Sequence, residues 1–98
     1  MLNFVICDDN LNILDRLEKM LENIFDRNDF EACIRLKSDS SEEIIKHISS
    51  NKLDVIMLDI NLKSNQNGLD LAKEIRKINR DAYIIFTTGH LEYAMVAY

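Results

Sequence analysis

Apolar residues follow two different spacings along this chain, and the first spacing is that of β-strands. Three short, nearly continuous apolar runs predict buried strands, and they cover residues 2–8, 54–59 and 82–88. A fourth segment, residues 31–37, alternates apolar and polar side chains. That alternation predicts a half-exposed strand, placed at an edge of its sheet.

The second spacing is helical. Apolar residues recur three or four positions apart in four segments, which begin near Leu11, Ile44, Leu69 and Leu91. Asp9 or Asn10 can cap the first helix, and Ser40 can cap the second, because their short polar side chains accept hydrogen bonds from first-turn amides. The fourth helix is predicted to continue from Leu91 to Tyr98.

Strands and helices alternate strictly, and the connections are too long for hairpins. Right-handed crossovers then make neighbouring strands parallel and place helices on both faces of the sheet. The pattern predicts a doubly wound parallel α/β domain. In such a sheet, ligands bind beyond the carboxyl ends of the strands, where the strand order reverses.

Polar side chains that carry oxygen stand at the carboxyl ends of the apolar strands. Asp8 and Asp9 end the first strand, Asp59 ends the third, and Thr87 and Thr88 end the fourth. Taken singly, each has a simpler explanation, as a helix cap, a strand-end turn or a packed β-branched residue. Together, at one edge of a parallel sheet, they predict a crevice that holds several carboxylates and a hydroxyl.

Clustered carboxylates repel each other unless a cation offsets them. Carboxylates, a backbone carbonyl and water suit Mg²⁺, which prefers octahedral oxygen ligands. A carboxylate can also attack phosphorus and form an aspartyl-phosphate, while a metal neutralises the phosphoryl oxygens. Asp59 is the candidate nucleophile, and the Thr88 hydroxyl can donate a hydrogen bond to the phosphoryl group.

Composition narrows the class of protein. The 98 residues suffice for one domain, and 47% hydrophobic with 30% charged residues is typical of a globular chain. A net charge of -5 opposes binding of nucleic acid or an anionic membrane through this segment. Cys7 and Cys33 lack zinc-site spacing and are expected to be reduced. Because no signal peptide or long apolar span is present, we expect a cytoplasmic protein.

Three motifs carry a resemblance to a family. Cys-Asp8-Asp9, Met-Leu-Asp59-Ile-Asn61 and Ile-Ile-Phe-Thr-Thr88-Gly89-His90 resemble the receiver domain of two-component response regulators, and the match covers essentially the whole chain. The resemblance implies a flavodoxin-like fold with strand order 2-1-3-4. It implies that Asp59 is the phosphoacceptor and Thr88 the switch hydroxyl, and that Mg²⁺ is held by Asp8, Asp9, Asp59 and the backbone carbonyl of Asn61.

The resemblance extends to a subtype. The segments Asn67-Gly68-Leu69-Asp70-Leu71-Ala72 and Gly-His-Leu-Glu-Tyr-Ala look like receivers of the LytTR (LytR/AlgR) type, which carry a separate DNA-binding domain. The implied partners are a sensor histidine kinase and the protein's own C-terminal DNA-binding domain, with a homodimer as a further possibility. Such a domain is a self-phosphorylating signalling module rather than a turnover enzyme.

One departure from the family concerns a lysine. Receivers pair a lysine at the end of a fifth strand with the acceptor phosphate, and no lysine here occupies a matching position. We therefore interpret residues 1–98 as a C-terminally truncated receiver domain, missing the fifth strand and helix and the output domain. We expect weak or absent phosphorylation of this segment by itself.

Other functions remain open at this stage. A degenerate receiver would act by protein contact without phosphorylation. A phosphohydrolase with an aspartyl nucleophile usually has a second acid where this chain has Asn61. A flavin or nucleotide module would need a Gly- or Ser/Thr-rich loop after the first strand, where this chain has two aspartates.

Overall fold

The fold is organised around one sheet. The computed structural model describes residues 1–62, 67–87 and 96–97. Within these ranges the strands are β1 (Leu2–Cys7), β2 (Ala32–Ser38), β3 (Val55–Asp59), β4 (Tyr83–Thr87) and β5 (Val96–Ala97). Their order is β2-β1-β3-β4-β5, and the first four run parallel. The order 2-1-3-4 confirms the predicted doubly wound, flavodoxin-like arrangement, with β2 at an edge.

Three helices connect the parallel strands: α1 (Leu11–Arg27), α2 (Ser41–Ser50) and α3 (Gly68–Ile78). Each begins after a side chain that accepts a first-turn amide hydrogen, and these caps are Asn10, Ser40 and Asn67. Of the two caps considered for α1, the structure selects Asn10. No helix in the described ranges is long and apolar enough to cross a membrane.

Alternate residues of the strands face two separate cores. One core contains Val5, Cys7, Ile56, Leu58, Ile84 and Phe86, packed with residues of α2 and α3. The other contains Ile6 and Met57, with Ile85 at its margin, packed against Leu14, Leu21 and Phe25 of α1. Because side chains alternate along a strand, this division also fixes the side on which the strand-end residues lie.

The prediction of a helix over 91–98 is wrong at Val96 and Ala97. These two residues form β5, which pairs antiparallel with Ile85 and Phe86 of β4. An apolar strand such as β4 presents main-chain N–H and C=O groups along its outer edge, and pairing with β5 satisfies part of that edge. The other positions of that predicted helix, 91–95 and 98, lie outside the described residues.

The amino ends of β1 and β3 are joined by Asp54 and Asn3. Asp54 Oδ2 accepts hydrogen bonds from the Asn3 backbone N–H (2.7 Å) and from Asn3 Nδ2 (3.0 Å). The Asp54 N–H donates in turn to the Asn3 carbonyl oxygen (2.9 Å). The Asn3 backbone hydrogen bond is the main reason that the pKa of Asp54 lies below its ordinary value.

This arrangement predicts a pH-dependent contribution to stability. A carboxyl whose pKa is lowered by folding stabilises the protein above its unfolded-state pKa, and the contribution is lost as pH falls through the folded-state pKa. We expect Asp54→Ala to lower the free energy of unfolding by about 1 kcal/mol at neutral pH. In urea titrations the deficit should shrink below about pH 4, and the exposed Asp81→Ala should change little at either pH. An equal Asp54→Ala deficit at both pH values would contradict the assignment.

Candidate functional site

Two buried carboxylates lie side by side at the carboxyl edge of the sheet. β1 and β3 are adjacent, and the last register pair between them is Cys7 with Leu58. Asp8 and Asp59 follow that pair directly, and they are only 4% and 9% exposed. Asp9, the next residue, is half-buried. The structure thus brings together Asp8 and Asp59, two of the three strand-end acids that the sequence singled out, whereas Asp9 does not form a close group with them in the described part of the chain.

Each buried carboxylate is oriented by a nearby backbone amide. Asp8 Oδ1 accepts the Asn10 N–H at 2.8 Å, and Asp59 Oδ1 accepts the Asn61 N–H at 3.0 Å. Main-chain bonds hold the flanking residues as well, because the Asp8 N–H donates to the Ser38 carbonyl at the end of β2 (3.2 Å). In both carboxylates Oδ1 accepts the N–H of the residue two positions further along the chain, and Oδ2 can accept further hydrogen bonds.

The acids are close enough to affect one another electrostatically. Burial raises the pKa of Asp8, its hydrogen bond with Asn10 partly opposes that rise, and the charges of Asp59 and Asp9 raise it further. Burial also raises the pKa of the Cys7 thiol to about 12, and the neighbouring negative charges that add to this are those of Asp9, Asp8, Asp59 and Asp39. This edge of the sheet therefore concentrates negative charge, which a cation would offset.

Asp39 is an acid that the sequence analysis did not single out. It follows directly after β2, the neighbour of β1, and its side chain is exposed. The signal was available, because Asp39 stands at a strand end just as Asp8 and Asp59 do. It was missed because the strand before it alternates polar and apolar residues.

Gly68 fixes the backbone of the Asp59 segment. It is the first residue of α3, it is buried, and its N–H donates to the Ile60 carbonyl at 3.0 Å. A Cβ at this position would overlap the Asp59 carbonyl oxygen and lie 2.8 Å from Ile60 Cα. The helix can approach the end of β3 this closely only because residue 68 has no side chain.

β4 contributes a hydroxyl on the other side of β3. Thr87 is the register partner of Asp59, and its carbonyl accepts the Ile60 N–H at 3.1 Å. Its Oγ1 is buried and makes no hydrogen bond within the described part of the chain. Thr88, the predicted switch hydroxyl, lies outside the described residues, as do Gly89 and His90.

Among the lysines that the structure describes, the one nearest the carboxyl end of a strand binds acids on α1 rather than Asp59. Lys37, the penultimate residue of β2, binds Asp15 Oδ1 at 2.8 Å and Glu18 Oε1 at 2.9 Å, both on α1. Its hydrogen bonds to these two carboxylates raise the pKa of Lys37 above its ordinary value. Lys37 therefore ties α1 to β2. Its positive charge is offset by Asp15 and Glu18 and does not compensate the charge of Asp59.

The described residues do not form a complete cage for a metal. In ranges 1–62 and 67–87, no three His, Cys, Asp or Glu side chains are grouped closely enough to hold an ion. A cation at Asp8 and Asp59 would therefore complete its coordination with main-chain carbonyl oxygen and water. That is the mixed oxygen donor set that Mg²⁺ commonly takes in proteins.

Curated proteins similar to this chain are bacterial regulators. The chain is 31% identical over 98 residues to the sensory transduction protein LytT of Bacillus anthracis, covering 100% of this chain and 37% of LytT. It is 39% identical over 62 residues to the sensory transduction protein LytR of Staphylococcus epidermidis, covering 63% of this chain and 24% of LytR. The chain thus spans a quarter to somewhat over a third of these relatives. Their names agree with the predicted LytTR subtype.

Solved structures similar to this chain include response regulators. The response regulator protein TrrA from Thermotoga maritima, in complex with Mg²⁺-BeF, has a TM-score of 0.76 and 31% identity, covering 95% of this chain and 74% of that chain. A complex of the histidine kinase ThkA with TrrA gives a TM-score of 0.75 and 30% identity, covering 96% of this chain and 76% of that chain. The family model of the response regulator receiver domain matches residues 4–98. The chain belongs to the response regulator receiver domain family.

Proposed function

We propose that this chain is the phosphoacceptor domain of a two-component response regulator and that Asp59 accepts a phosphoryl group from a histidine kinase. The observation that carries the proposal is the pair of buried carboxylates, Asp8 and Asp59, at the carboxyl ends of two central strands. The kinase as donor is supported by the similarity to TrrA, which has been solved in complex with the histidine kinase ThkA.

The reaction uses one oxygen of Asp59. Asn61 donates its N–H to Oδ1, which orients the carboxylate and directs Oδ2 at phosphorus. The P–N bond of the phosphohistidine breaks as the O–P bond of the aspartyl-phosphate forms. The P–N electron pair stays on the imidazole nitrogen, and that nitrogen takes a proton from water unless the other ring nitrogen already carries one, so the imidazole leaves as a neutral ring. The product adds roughly one to two negative charges at this edge of the sheet.

The described residues fit a divalent cation. Asp8 and Asp59 would hold Mg²⁺ together with the Asn61 carbonyl, and Asp9, which is not grouped closely with them among the described residues, would turn toward the ion or act through bound water. Burial raises the pKa of Asp8 and the charges of Asp59 and Asp9 raise it further, so a cation here would offset unfavourable negative charge. When bound, Mg²⁺ neutralises charge on the phosphoryl oxygens. The similarity to TrrA, solved with Mg²⁺-BeF, supports this part of the proposal.

The output of the switch belongs to the longer protein. We propose that the Thr88 hydroxyl moves toward the phosphoryl group and that the segment after β4 moves with it. Two relatives, from two strains of Staphylococcus aureus, are named transcriptional regulatory protein LytR, which supports a DNA-binding domain C-terminal to residues 1–98. A cytoplasmic location and a homodimer stay predictions, as does the absence of nucleic-acid binding by these acidic 98 residues.

The comparisons give no support to the other functions considered. A phosphohydrolase would need a general acid near the nucleophile, and the residue two positions after Asp59 is an exposed asparagine. A receiver that acts only by protein contact has no need of buried acids held in place by backbone amides. Phosphorylation therefore accounts for more of the site than either alternative.

Phosphoryl uptake tests the proposal. The protein is incubated with a small-molecule phosphodonor, with Mg²⁺ or with chelator, and intact mass is recorded over time. Because no lysine here matches the one that receivers pair with the acceptor phosphate, we expect slow uptake of at most one phosphoryl group per chain in Mg²⁺. Uptake in chelator should be at least tenfold slower still, since the metal contributes several kcal/mol of charge stabilisation. Asp59→Asn should take up none, whereas Asp81→Asn, an exposed acid at the opposite end of the sheet, should match the native chain. Equal uptake by Asp59→Asn and the native chain would rule out Asp59 as acceptor.

A further inference from the structure

We propose that the Thr87 hydroxyl donates a hydrogen bond to the phosphoryl group on Asp59, so that this site has a second phosphate-sensing threonine next to Thr88. The inference rests on the proposed function of Asp59. It concerns a residue that the sequence placed among the strand-end polar groups without assigning it a role of its own.

The position of Thr87 follows from the two cores. Met57 and Ile85 pack on the α1 side of the sheet, whereas Leu58 and Phe86 pack on the opposite side. Alternation then places Asp59 and Thr87, each two residues further on, on the α1 side. Asp8 follows the same rule, because Ile6 packs on α1.

Asp59 and Thr87 are also direct neighbours across the sheet. They form the last register pair between β3 and β4, and adjacent strands lie about 4.8 Å apart. A threonine hydroxyl at that spacing is within reach of an oxygen added to the neighbouring carboxylate. No other strand separates the two side chains.

Among residues 1–62, 67–87 and 96–97, no hydrogen-bond partner competes for the Thr87 hydroxyl. Thr87 Oγ1 is buried and makes no hydrogen bond in the described part of the chain. A buried donor without an acceptor is unfavourable, and native proteins rarely keep one without a role. A phosphoryl group on Asp59 brings several strong acceptor oxygens to this place. Phosphorylation would therefore satisfy the hydroxyl, and the hydroxyl would favour the phosphorylated state over the unmodified one.

Valine provides a close test, because it replaces the hydroxyl with a methyl group of similar size. Beryllium fluoride with Mg²⁺ serves as the probe for a phosphoryl group, and its affinity is measured by NMR titration for the native chain, Thr87→Val, Thr87→Ser and Asp59→Asn. We expect Thr87→Val to bind about tenfold more weakly, equivalent to about 1.4 kcal/mol, and Thr87→Ser to stay within about threefold of native because it keeps the donor.

A second measurement separates sensing from a structural role. Urea unfolding without beryllium fluoride should show Thr87→Val to be as stable as the native chain or more stable, since it removes an unsatisfied buried donor. Loss of stability in Thr87→Val that matches its loss of affinity would overturn the proposal, as would native affinity in Thr87→Val or equal weakening in Thr87→Ser. If the native chain and Asp59→Asn bind the probe equally, or neither binds it, the proposed function of Asp59 fails together with this inference.

Discussion

Gly68→Ala is expected to lower the free energy of unfolding by about 3 kcal/mol or more and to abolish phosphoryl uptake. The new Cβ would overlap the Asp59 carbonyl oxygen and crowd Ile60 Cα. Both obstacles are backbone atoms, which cannot move aside as a flexible side chain could. Overpacking a well-filled site costs about 1–3 kcal/mol and sometimes more, and here α3 would also have to shift away from the end of β3. The Gly68 N–H donates a hydrogen bond to the Ile60 carbonyl, which follows Asp59 directly. A shift of α3 would therefore break this bond and displace the Asp59 carboxylate.

Leu69→Ala is the matched control for this substitution. Leu69 is the next residue of α3, and its side chain is 46% exposed. Its truncation should change the unfolding free energy by less than about 1 kcal/mol and leave phosphoryl uptake intact. Urea titrations and intact-mass kinetics on both variants give the comparison. A Gly68→Ala protein as stable and as active as Leu69→Ala would show that α3 does not constrain the backbone at Asp59 and Ile60.

Asp8→Asn is expected to stabilise the metal-free protein and to remove its response to Mg²⁺. The pKa of Asp8 is raised by burial and by the charges of Asp59 and Asp9, so its ionised form is unfavourable without a cation. Asparagine keeps the Oδ1 acceptor for the Asn10 N–H and removes the charge. The gain in chelator should be about 1 kcal/mol, of the order usual for one substitution. Mg²⁺ at a hundredfold excess over its dissociation constant should stabilise the native chain by about 2.7 kcal/mol, and this gain should largely vanish in Asp8→Asn.

Asp39→Asn separates loss of a ligand from loss of a charge. Asp39 is exposed, lies near the same edge, and acts on Cys7 in the same direction as Asp8. Its neutralisation removes one negative charge without removing a proposed metal ligand. The Mg²⁺-dependent rise in melting temperature should therefore persist in Asp39→Asn. If Asp39→Asn loses the Mg²⁺-dependent stabilisation as fully as Asp8→Asn, the cation acts through the overall negative charge of this edge and not by binding at Asp8 and Asp59.

The elements that could be predicted from sequence are those whose signal is local. Continuous apolar runs identify β1, β3 and β4, and the strand-end position of Asp59 follows from where its run stops. The cap of α2 at Ser40 is equally local, because a short polar side chain beside an apolar helix start has one evident role, whereas the sequence left Asp9 and Asn10 open for α1. The parallel topology then brings Asp8 and Asp59 together with no further information.

What could not be predicted depends on contacts between distant residues. β5 is only two residues long, too short for any periodicity, and its pairing is set by the exposed edge of β4. The contact of Gly68 with the Asp59 backbone depends on how closely α3 approaches β3. A sensing role for Thr87 beside Thr88 could not be predicted either, because it required knowing which side of the sheet Thr87 occupies, and that follows only from the two cores.

The most direct test of the central claim is to locate the phosphoryl group itself. The native chain is treated with phosphodonor and Mg²⁺, digested at a pH that preserves acyl phosphates, and its peptides are analysed by fragmentation mass spectrometry. The account predicts a single modified peptide, with the phosphoryl group on Asp59 and with loss of the group on treatment with hydroxylamine, which cleaves acyl phosphates. A phosphoryl group on another residue, with Asp59 unmodified, would contradict it.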